Sequence, residues 1–420
     1  MNTSTLCVGA DVHLKEITLR AVDKRTSDEV IAPFNVANNL PGAQSAASRL
    51  AEVATRLGYT HIEIGCEATG MLWIPFHRFL STCQLLEPFD LQQVCFNPKL
   101  VADFKDALVL RGPKDDERDA FDVAARVQVG HWPDSYVPDD FWQGLRRLTR
   151  YRFKLSQEKM RFQSYAFLKC SDWKRVKAFS DVFGAATSVA LLTEFIAAEL
   201  REMTHDQLAD LIVCRGRGHF YDPDATARTV QQALHTSYPI DRQMDEMVTA
   251  TLATGWEHVR AINRLIKRLD QQISRCIEPV PNPIITIKGL GPVITAGLLA
   301  EIVDISRFPE HKHMAQYFGI SWTKRSSAGS PTQDSRMTKV GNPYGRYYFV
   351  IGADKLRQFN LEYKAYYWRK YNEVSKHQHK RALVLTARKL VRLVHALLTK
   401  NVPYVRPRTT VVLEEADLLQ

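Results

Sequence analysis

The chain has 420 residues, enough for two or three domains that each bury a hydrophobic core. Hydrophobic residues make up 45% of it and charged residues 24%, a composition that excludes wholesale disorder. No apolar run of about eighteen residues occurs, and the N-terminus lacks the basic start and apolar stretch of a secretory signal. The sequence therefore predicts a cytoplasmic protein without a membrane partner.

The net charge of +10 is concentrated in the C-terminal third of the chain. Residues 285–410 hold 22 lysines and arginines against 7 aspartates and glutamates, so the remainder of the chain is net negative. Basic side chains in such excess neutralise phosphates and release counterions, which favours nucleic acid as the partner. A basic surface that only keeps the protein soluble explains the charge about as well.

Short strands and helices alternate in the N-terminal part of the sequence. The apolar patterns predict strands near residues 7–11, 17–22, 30–36, 61–67 and 94–96, with a helix over residues 43–57. Pro33 indicates that the third strand lies at an edge or contains a bulge. This order predicts an α/β layer with a mixed sheet. No Gly-rich loop follows a strand, which counts against a nucleotide-binding domain.

The middle of the chain, from about residue 140 to 276, has apolar residues at every third or fourth position. This spacing predicts long helices that pair, either as an antiparallel coiled coil or as a bundle that spaces two domains. A proline-rich linker follows at residues 279–283. Beyond it, Lys288-Gly289-Leu290-Gly291 before an apolar helix is typical of a helix-hairpin-helix, whose turn approaches a DNA phosphate.

Acidic residues end two of the predicted strands and begin a predicted helix. Asp11 closes the first strand and Glu67 the fourth, so their carboxylates can converge. In the acidic segment that follows, three pairs have helical spacing: Asp115 with Asp119, Asp116 with Asp119, and Asp119 with Asp122. Spacing alone does not choose among these pairs. Each acid alone is more often a cap, but acids in this order favour a site for Mg²⁺ or Mn²⁺ that cleaves phosphodiesters.

Together these motifs resemble the DEDD transposases of the insertion-sequence 110 family, which includes the Piv-type DNA invertases. The marks are residues 8–13, 67–70, 97–98, 114–120, 289–292, 305–308, 317–320, 338–342 and 387–390. The family pattern Lys-x-Asp-x-x-Asp-Ala implies that the third and fourth acids are Asp116 and Asp119. The resemblance also implies four segments: a RuvC-like, ribonuclease-H-like catalytic domain over 1–139, a helical coiled-coil arm over 140–280, a mostly helical C-terminal transposase domain over 281–410, and a tail over 411–420.

The resemblance further implies a serine nucleophile in the C-terminal domain, which forms a transient phosphoserine link with DNA. Ser327 aligns best, and Ser326 is the alternative because Ala328 stands where glycine is usual. A serine hydroxyl needs a proton acceptor and neutralisation of the phosphate charge before it attacks. We expect these residues to contact nucleic acid: Lys288, Gly289, Gly291, Lys324, Arg325, Arg336, Lys339, Arg369, Lys370, Lys380, Arg381 and Arg388.

The partners implied by the resemblance are target and donor DNA, a non-coding bridge RNA that pairs with both, and further copies of the chain in a dimer or tetramer. Recognition through base pairing agrees with the lack of a base-reading motif. Three alternatives stay open: a Piv-type invertase without a guide RNA, a DNA-binding protein with a decayed acid site, and a RuvC-like structure-specific nuclease. The four acids disfavour the second, and the C-terminal domain with its serine disfavours the third.

Overall fold

The computed structural model describes residues 4–68, 70–107, 116–130, 132, 138–162, 165–172, 179, 186–216, 222–322, 326–327, 330–331, 337–338 and 340–405. It gives the backbone alone for residues 99, 100, 107, 116, 326, 327, 330 and 331. The chain forms two compact units, Met1–Val137 and Pro138–Gln420. The finer domain boundaries at residues 139, 280 and 410 stay predictions.

A mixed sheet of five strands forms the centre of the first unit, which confirms the α/β prediction. The strands are β1 Thr5–Val12, β2 Glu16–Asp23, β3 Glu29–Ala37, β4 His61–Glu67 and β5 Asp90–Phe96. Their order is β3-β2-β1-β4-β5, with antiparallel pairing among β1 to β3 and parallel pairing of β4 with β1 and β5. Pro33 lies in the edge strand β3, whose register against β2 shifts between Leu19 and Val22.

Helices cover both faces of this sheet. They are α1 Leu40–Leu57, α2 Trp73–Ser81, α3 Pro98–Ala107 and α4 Asp116–Val129. One core contains the apolar face of α1 and the Phe76 side of α2, and the other contains the apolar face of α4 with Phe96 of β5. Because β1 lies between these two cores, seven of its eight residues are buried.

The second unit is built from helices, as the spacing over residues 140–276 predicts. They are α5 Asp140–Phe162, α6 Ala166–Lys169, α7 Ala186–Thr193, α8 Ala197–Glu202, α9 His205–Gly216, α10 Pro223–His235, α11 Arg242–Ile277, α12 Pro292–Ile302, α13 His311–Tyr317, α14 Pro343–Phe359, α15 Leu361–Asn372 and α16 Gln378–Lys400. None of the described helices is both long and apolar enough to cross a membrane.

The 36-residue helix α11 contributes to two hydrophobic cores. Its N-terminal half buries Val248 and Leu252 in a core with α7 to α10. Its C-terminal half buries Ile262 and Ile273 in a larger core that also holds residues of α5, α12, α14 and α16. The pairing of α5 with α11 is therefore part of a common core with the C-terminal helices, and a coiled-coil arm stays a prediction.

Candidate functional site

Asp11 and Glu67 lie at the same end of two adjacent parallel strands. The register pairs Ala10 of β1 with Cys66 of β4, so the next residue of each strand is one of the predicted acids. The Asp11 side chain is 16% exposed, and its Oδ2 lies 3.0 Å from Nε2 of His13. The structure thus brings these two acids to one end of the sheet, where their strands close.

Two glycines allow helix α4 to lie directly against these strands. Gly9 of β1 and Gly65 of β4 are register partners. A Cβ atom at Gly9 would lie 1.9 Å from the carbonyl oxygen of Ala120, and one at Gly65 would lie 2.4 Å from Cγ2 of Val127. No side chain fits at either position, because backbone and a packed side chain already occupy the space. The close approach carries Asp119, the neighbour of Ala120, towards the acids of the sheet.

Lys105 of α3 places a positive charge among these acids. Its Nζ lies 2.6 Å from Oδ1 of Asp119 and 3.8 Å from Oδ2 of Asp122. Burial opposes the charge of Lys105, but the hydrogen bond to Asp119 and the charges of Asp119, Glu67 and Asp122 outweigh it and raise its pKa. For Asp122, burial raises the pKa of the carboxyl group, although the charges of Lys105 and Arg118 act to lower it. Neither the role of Lys105 nor that of the two glycines was predicted from the sequence.

Carboxylate oxygens are the ligands that Mg²⁺ and Mn²⁺ prefer, so the donor chemistry of this cluster fits a divalent ion. Asp116 begins α4, but its side chain and all of Asp115 lie outside the described residues. Among the side chains that the structure describes, no three acids, histidines or cysteines stand close enough together to hold an ion. In this structure the ammonium group of Lys105 pairs with Asp119 and lies near Asp122.

The candidate serines belong to a short hairpin in the second unit. Strand β6, Ser326–Ser327, pairs antiparallel with β7, Ser330–Pro331, and Ser327 stands opposite Ser330. At the base of the hairpin the Thr338 amide donates to the carbonyl oxygen of Ser321 at 2.9 Å. The serine side chains lie outside the described part of the chain, so the choice between Ser326 and Ser327 stays a prediction. The flanking cations also lie outside it: Lys324, Arg325, Arg336 and Lys339.

Gly341 and Asn342 fix the chain after the hairpin. Gly341 has φ +124°, and a Cβ atom there would lie 2.4 Å from the carbonyl oxygen of Tyr317. Both the backbone angle and the space therefore require glycine. The Asn342 side chain caps α14 by accepting from the amides of Tyr344 and Gly345.

A buried carboxylate, Glu301, holds Asn342 in place. Glu301 is fully buried in α12 and accepts a hydrogen bond of 2.7 Å from Nδ2 of Asn342. Arg150 of α5 donates to both of its oxygens, at 2.7 and 2.8 Å, and Arg146 lies 3.5 Å away. Burial alone would raise the pKa of Glu301, but the arginines and Asn342 lower it. This network joins α5, α12 and the start of α14.

The predicted phosphate-binding turn lies before α12. A short 3₁₀ helix, Ile284–Thr286, precedes it, and Lys288 is exposed. Gly289 has φ +107°, and Gly291 is the N-cap of α12. The amides at the start of α12 follow this turn directly. Contact of the turn with a phosphate and a complete helix-hairpin-helix both stay predictions.

The remaining predicted contact residues lie on α15 and α16. Arg369 lies over the ring of Tyr366 at 5.3 Å, and Lys380 is exposed. Lys370 and Arg381 both pair with Glu373. Arg388 donates to the carbonyl oxygen of His311 at 3.1 Å. Of the aromatic residues between them, Tyr367 is buried and Trp368 is exposed. The two helices thus carry both paired and unpaired basic groups.

Two family models match the chain at the places where these features lie. The DEDD model of IS110, described as a transposase, matches residues 8–166, and the model described as the transposase IS116/IS110/IS902 family matches residues 282–368. The chain belongs to the IS110 family of transposases. Membership in the IS110 family confirms the identification from sequence motifs and makes the protein a recombinase that acts on DNA. A search of curated proteins finds no match.

The matched ranges of the IS110 family contain both groups of candidate residues. The N-terminal match includes Asp11, Glu67 and the start of α4, together with Lys105 and the glycine pair. The C-terminal match includes the serine hairpin and the Glu301 network's Asn342. The middle helices α7 to α11 lie between the two matches.

Proposed function

We propose that this IS110-family transposase cuts and rejoins DNA with catalytic residues that fall into two parts, one in each unit. The first part is the acid group Asp11, Glu67, Asp116 and Asp119, and the second is Ser327. The observation that carries the proposal is the convergence of two strands and a helix: Asp11 and Glu67 lie at the same end of adjacent parallel strands, and α4, which bears Asp119, packs closely on both strands at Gly9 and Gly65.

The strand order supports a RuvC-like fold for the first unit. Three antiparallel strands, β3, β2 and β1, continue into two strands that run parallel to β1. Helix α4 packs on β1 and β4, the two strands that carry Asp11 and Glu67 near their ends. We infer that this unit is the catalytic domain, and that the helical unit supplies the serine and most of the basic surface.

The four acids are the residues that would hold Mg²⁺ or Mn²⁺. When bound, such ions activate the attacking oxygen and stabilise the leaving oxygen of a phosphodiester. In this chain His13 orients Asp11 through its 3.0 Å contact, and Lys105 compensates the charge of Asp119 and Asp122. Compensation of this kind keeps several carboxylates ionised in one place before a divalent ion is present.

The serine step follows from the chemistry of a hydroxyl nucleophile. Oγ of Ser327 forms a bond to the scissile phosphorus, and the bond from phosphorus to a sugar oxygen breaks. The hydroxyl proton ends on that sugar oxygen. One phosphate ester bond thus replaces another, and the reverse reaction rejoins the strand. Because acids and serine belong to different units, the acids of one protomer can act with the serine of another in a dimer or tetramer.

Substitution of the strand-end acids tests the acid half of the proposal. Asp11→Ala and Glu67→Ala should lower recombination between two plasmid-borne sites by at least about a thousandfold, because metal stabilisation of the transition state is worth several kcal/mol. Both variants should keep their thermal stability and nucleic-acid binding. Asp28→Ala, which removes an exposed acid in the loop after β2, is the matched control. Undiminished recombination by either site variant contradicts the proposal.

Trapping of a covalent intermediate tests the serine half. The wild-type protein and Ser326→Ala should each give a protein–DNA adduct that survives denaturation, and Ser327→Ala should give none. An equal yield from Ser327→Ala would assign the attack to Ser326 or to water. The same preparations test the bridge RNA: copurified RNA of one defined length supports it, whereas full recombination by RNA-free protein favours the Piv-type alternative.

A further inference from the structure

Helix α16 carries two kinds of basic side chain. Arg381 pairs with Glu373 and Lys389 with Glu362, so their charges are compensated. Arg388 and Arg392, one turn apart on the same helix, have no carboxylate partner among the residues that the structure describes. Among the described residues, the charges of Arg388 and Arg392 are therefore not compensated by a carboxylate.

Two histidines lie against these unpaired arginines. Arg388 donates from Nη1 to the carbonyl oxygen of His311 at 3.1 Å, and the rings of His311 and His395 are 6.4 Å apart. Nε2 of His395 lies 2.8 Å from the carbonyl oxygen of Phe308. We call Arg388, Arg392, His311 and His395 the basic cluster. Its members come from α16 and from the first residue of α13, two elements that pack together in the C-terminal core.

The electrostatics of the basic cluster are unfavourable without a ligand. Burial lowers the pKa of His311, and the charges of Arg388, Arg392 and His395 lower it further. Burial and the charge of Arg392 likewise lower the pKa of Arg388. The acid that acts on His311 in the opposite direction, Glu310, is exposed and already pairs with Lys312 at 2.6 Å.

An anion would remove this repulsion. Like charges one helical turn apart destabilise a helix, and partial burial adds to the cost. Guanidinium groups match the oxygens of a phosphate with two parallel hydrogen bonds, and a neutral imidazole supplies one further donor. Arg392 is exposed and Arg388 half-buried, so a ligand can reach both from solvent.

We propose that the basic cluster binds a phosphate of a nucleic-acid backbone, with Arg388 and Arg392 as the clamp and His311 as a further donor. The inference rests on the proposed function, since it assumes that the transposase holds DNA or RNA. It adds His311, His395 and Arg392 to Arg388, which the sequence already marks as a contact residue. The ligand chemistry is a phosphodiester, which DNA and RNA share.

Binding by the full-length protein, freed of nucleic acid and without divalent metal, tests the cluster. Fluorescence anisotropy would measure affinity for a duplex DNA of about 30 base pairs and a single-stranded RNA of about 30 nucleotides, between about 50 and 200 mM salt. The test variant is Arg388→Gln/Arg392→Gln. The control is Arg242→Gln/Lys389→Gln, which removes the same charge from two cations that pair with carboxylates.

The test variant should bind at least one of the two probes at least about tenfold more weakly, the value of one charged hydrogen bond. The slope of log affinity against log salt should fall by about 1, one phosphate contact, while the control keeps the wild-type slope. Loss on one probe alone assigns the phosphate to DNA or to RNA. The exposed single variant Arg392→Gln should show part of the effect with unchanged thermal stability.

Two results overturn the inference, and they differ in what they say about the proposed function. If the test variant and its control bind both probes equally well, the basic cluster holds no phosphate, although the transposase proposal stands. If the wild-type protein binds neither probe, both the inference and the proposed function fail.

Discussion

At the scale of single residues, Lys105 is the feature that most changes the view of the acid site. Its ammonium group contacts Asp119 and Asp122 from a different helix, so a permanent cation stands among the acids. A divalent ion held by Asp119, as proposed, would have to compete with this ion pair. We therefore expect Lys105 to act as a positioning residue that compensates the acids before an ion binds.

Lys105→Met should lower the melting temperature in EDTA by about 1–3 °C, because the carboxylates then repel each other without compensation. Saturating Mg²⁺ should raise the melting temperature of the variant by more than that of the wild type, since no ion pair has to break. Differential scanning fluorimetry with and without Mg²⁺ measures both shifts. Arg56→Met, on the exposed face of α1, is the control. Equal Mg²⁺ shifts for variant and wild type would show that Lys105 does not compete with the ion.

Gly9 offers a second test at the same scale. Gly9→Ala places a Cβ atom 1.9 Å from the backbone of α4, and backbone cannot move aside as a side chain can. The free energy of unfolding should fall by about 1–3 kcal/mol, and cleavage should fall with it because Asp119 shifts. Chemical denaturation measures the first effect. Gly144→Ala, where a Cβ atom would meet nothing, should leave stability equal or higher; a Gly9→Ala variant as stable as this control would contradict the close packing.

At the scale of elements, the Glu301 network ties α5, α12 and α14 together. A charge inside a core is costly unless it is paired, and here each oxygen of the fully buried carboxylate accepts from Arg150. The network also holds Asn342, which caps α14 just beyond the serine hairpin. The chain just after the hairpin is thus held by side-chain hydrogen bonds that join three helices.

Glu301→Gln should lower the free energy of unfolding by about 3–5 kcal/mol at pH 7, because the arginines keep their charge without a partner. The difference in the free energy of unfolding between variant and wild type depends on pH. Since the folded state lowers the pKa of Glu301, its contribution is complete above the ordinary carboxyl pKa and is lost as pH falls through the folded value. Urea denaturation at pH 7 and at acidic pH should therefore show the gap between variant and wild type closing on acidification. A gap that widens in acid would contradict the assignment.

The elements of the sheet were predictable because their signals are local. An apolar run that ends in an acid predicts β1 and β4 and places Asp11 and Glu67 at their ends. The fit of α4 was not predictable in this way, because Gly9 and Gly65 make room for Ala120 and Val127, which lie far along the chain from both glycines. The role of Lys105 was not predictable for the same reason. Its pairing with Asp119 joins two helices whose packing cannot be read from residue spacing. Family resemblance, not spacing, selected Asp116 as the partner of Asp119.

At the scale of the whole molecule, the proposed catalytic residues of the IS110-family chain are divided between two compact units. The acids belong to the α/β unit and the serine hairpin to the helical unit, which also carries the basic cluster and the turn at Gly289. Sequence motifs predicted this division because each half has its own signature. They could not reveal His311 and His395, whose proximity to Arg388 depends on how α13 packs on α16.

The central claim is that the acids of the first unit hold the metal that cleaves DNA. Single-turnover cleavage of end-labelled DNA, by protein with its copurified RNA and Mg²⁺, tests this claim most directly when wild type is compared with Asp119→Asn. We predict that Asp119→Asn lowers the cleavage rate by at least about a thousandfold while DNA binding is retained, and that EDTA abolishes wild-type cleavage. An Asp119→Asn rate within about threefold of the wild-type rate would contradict the claim.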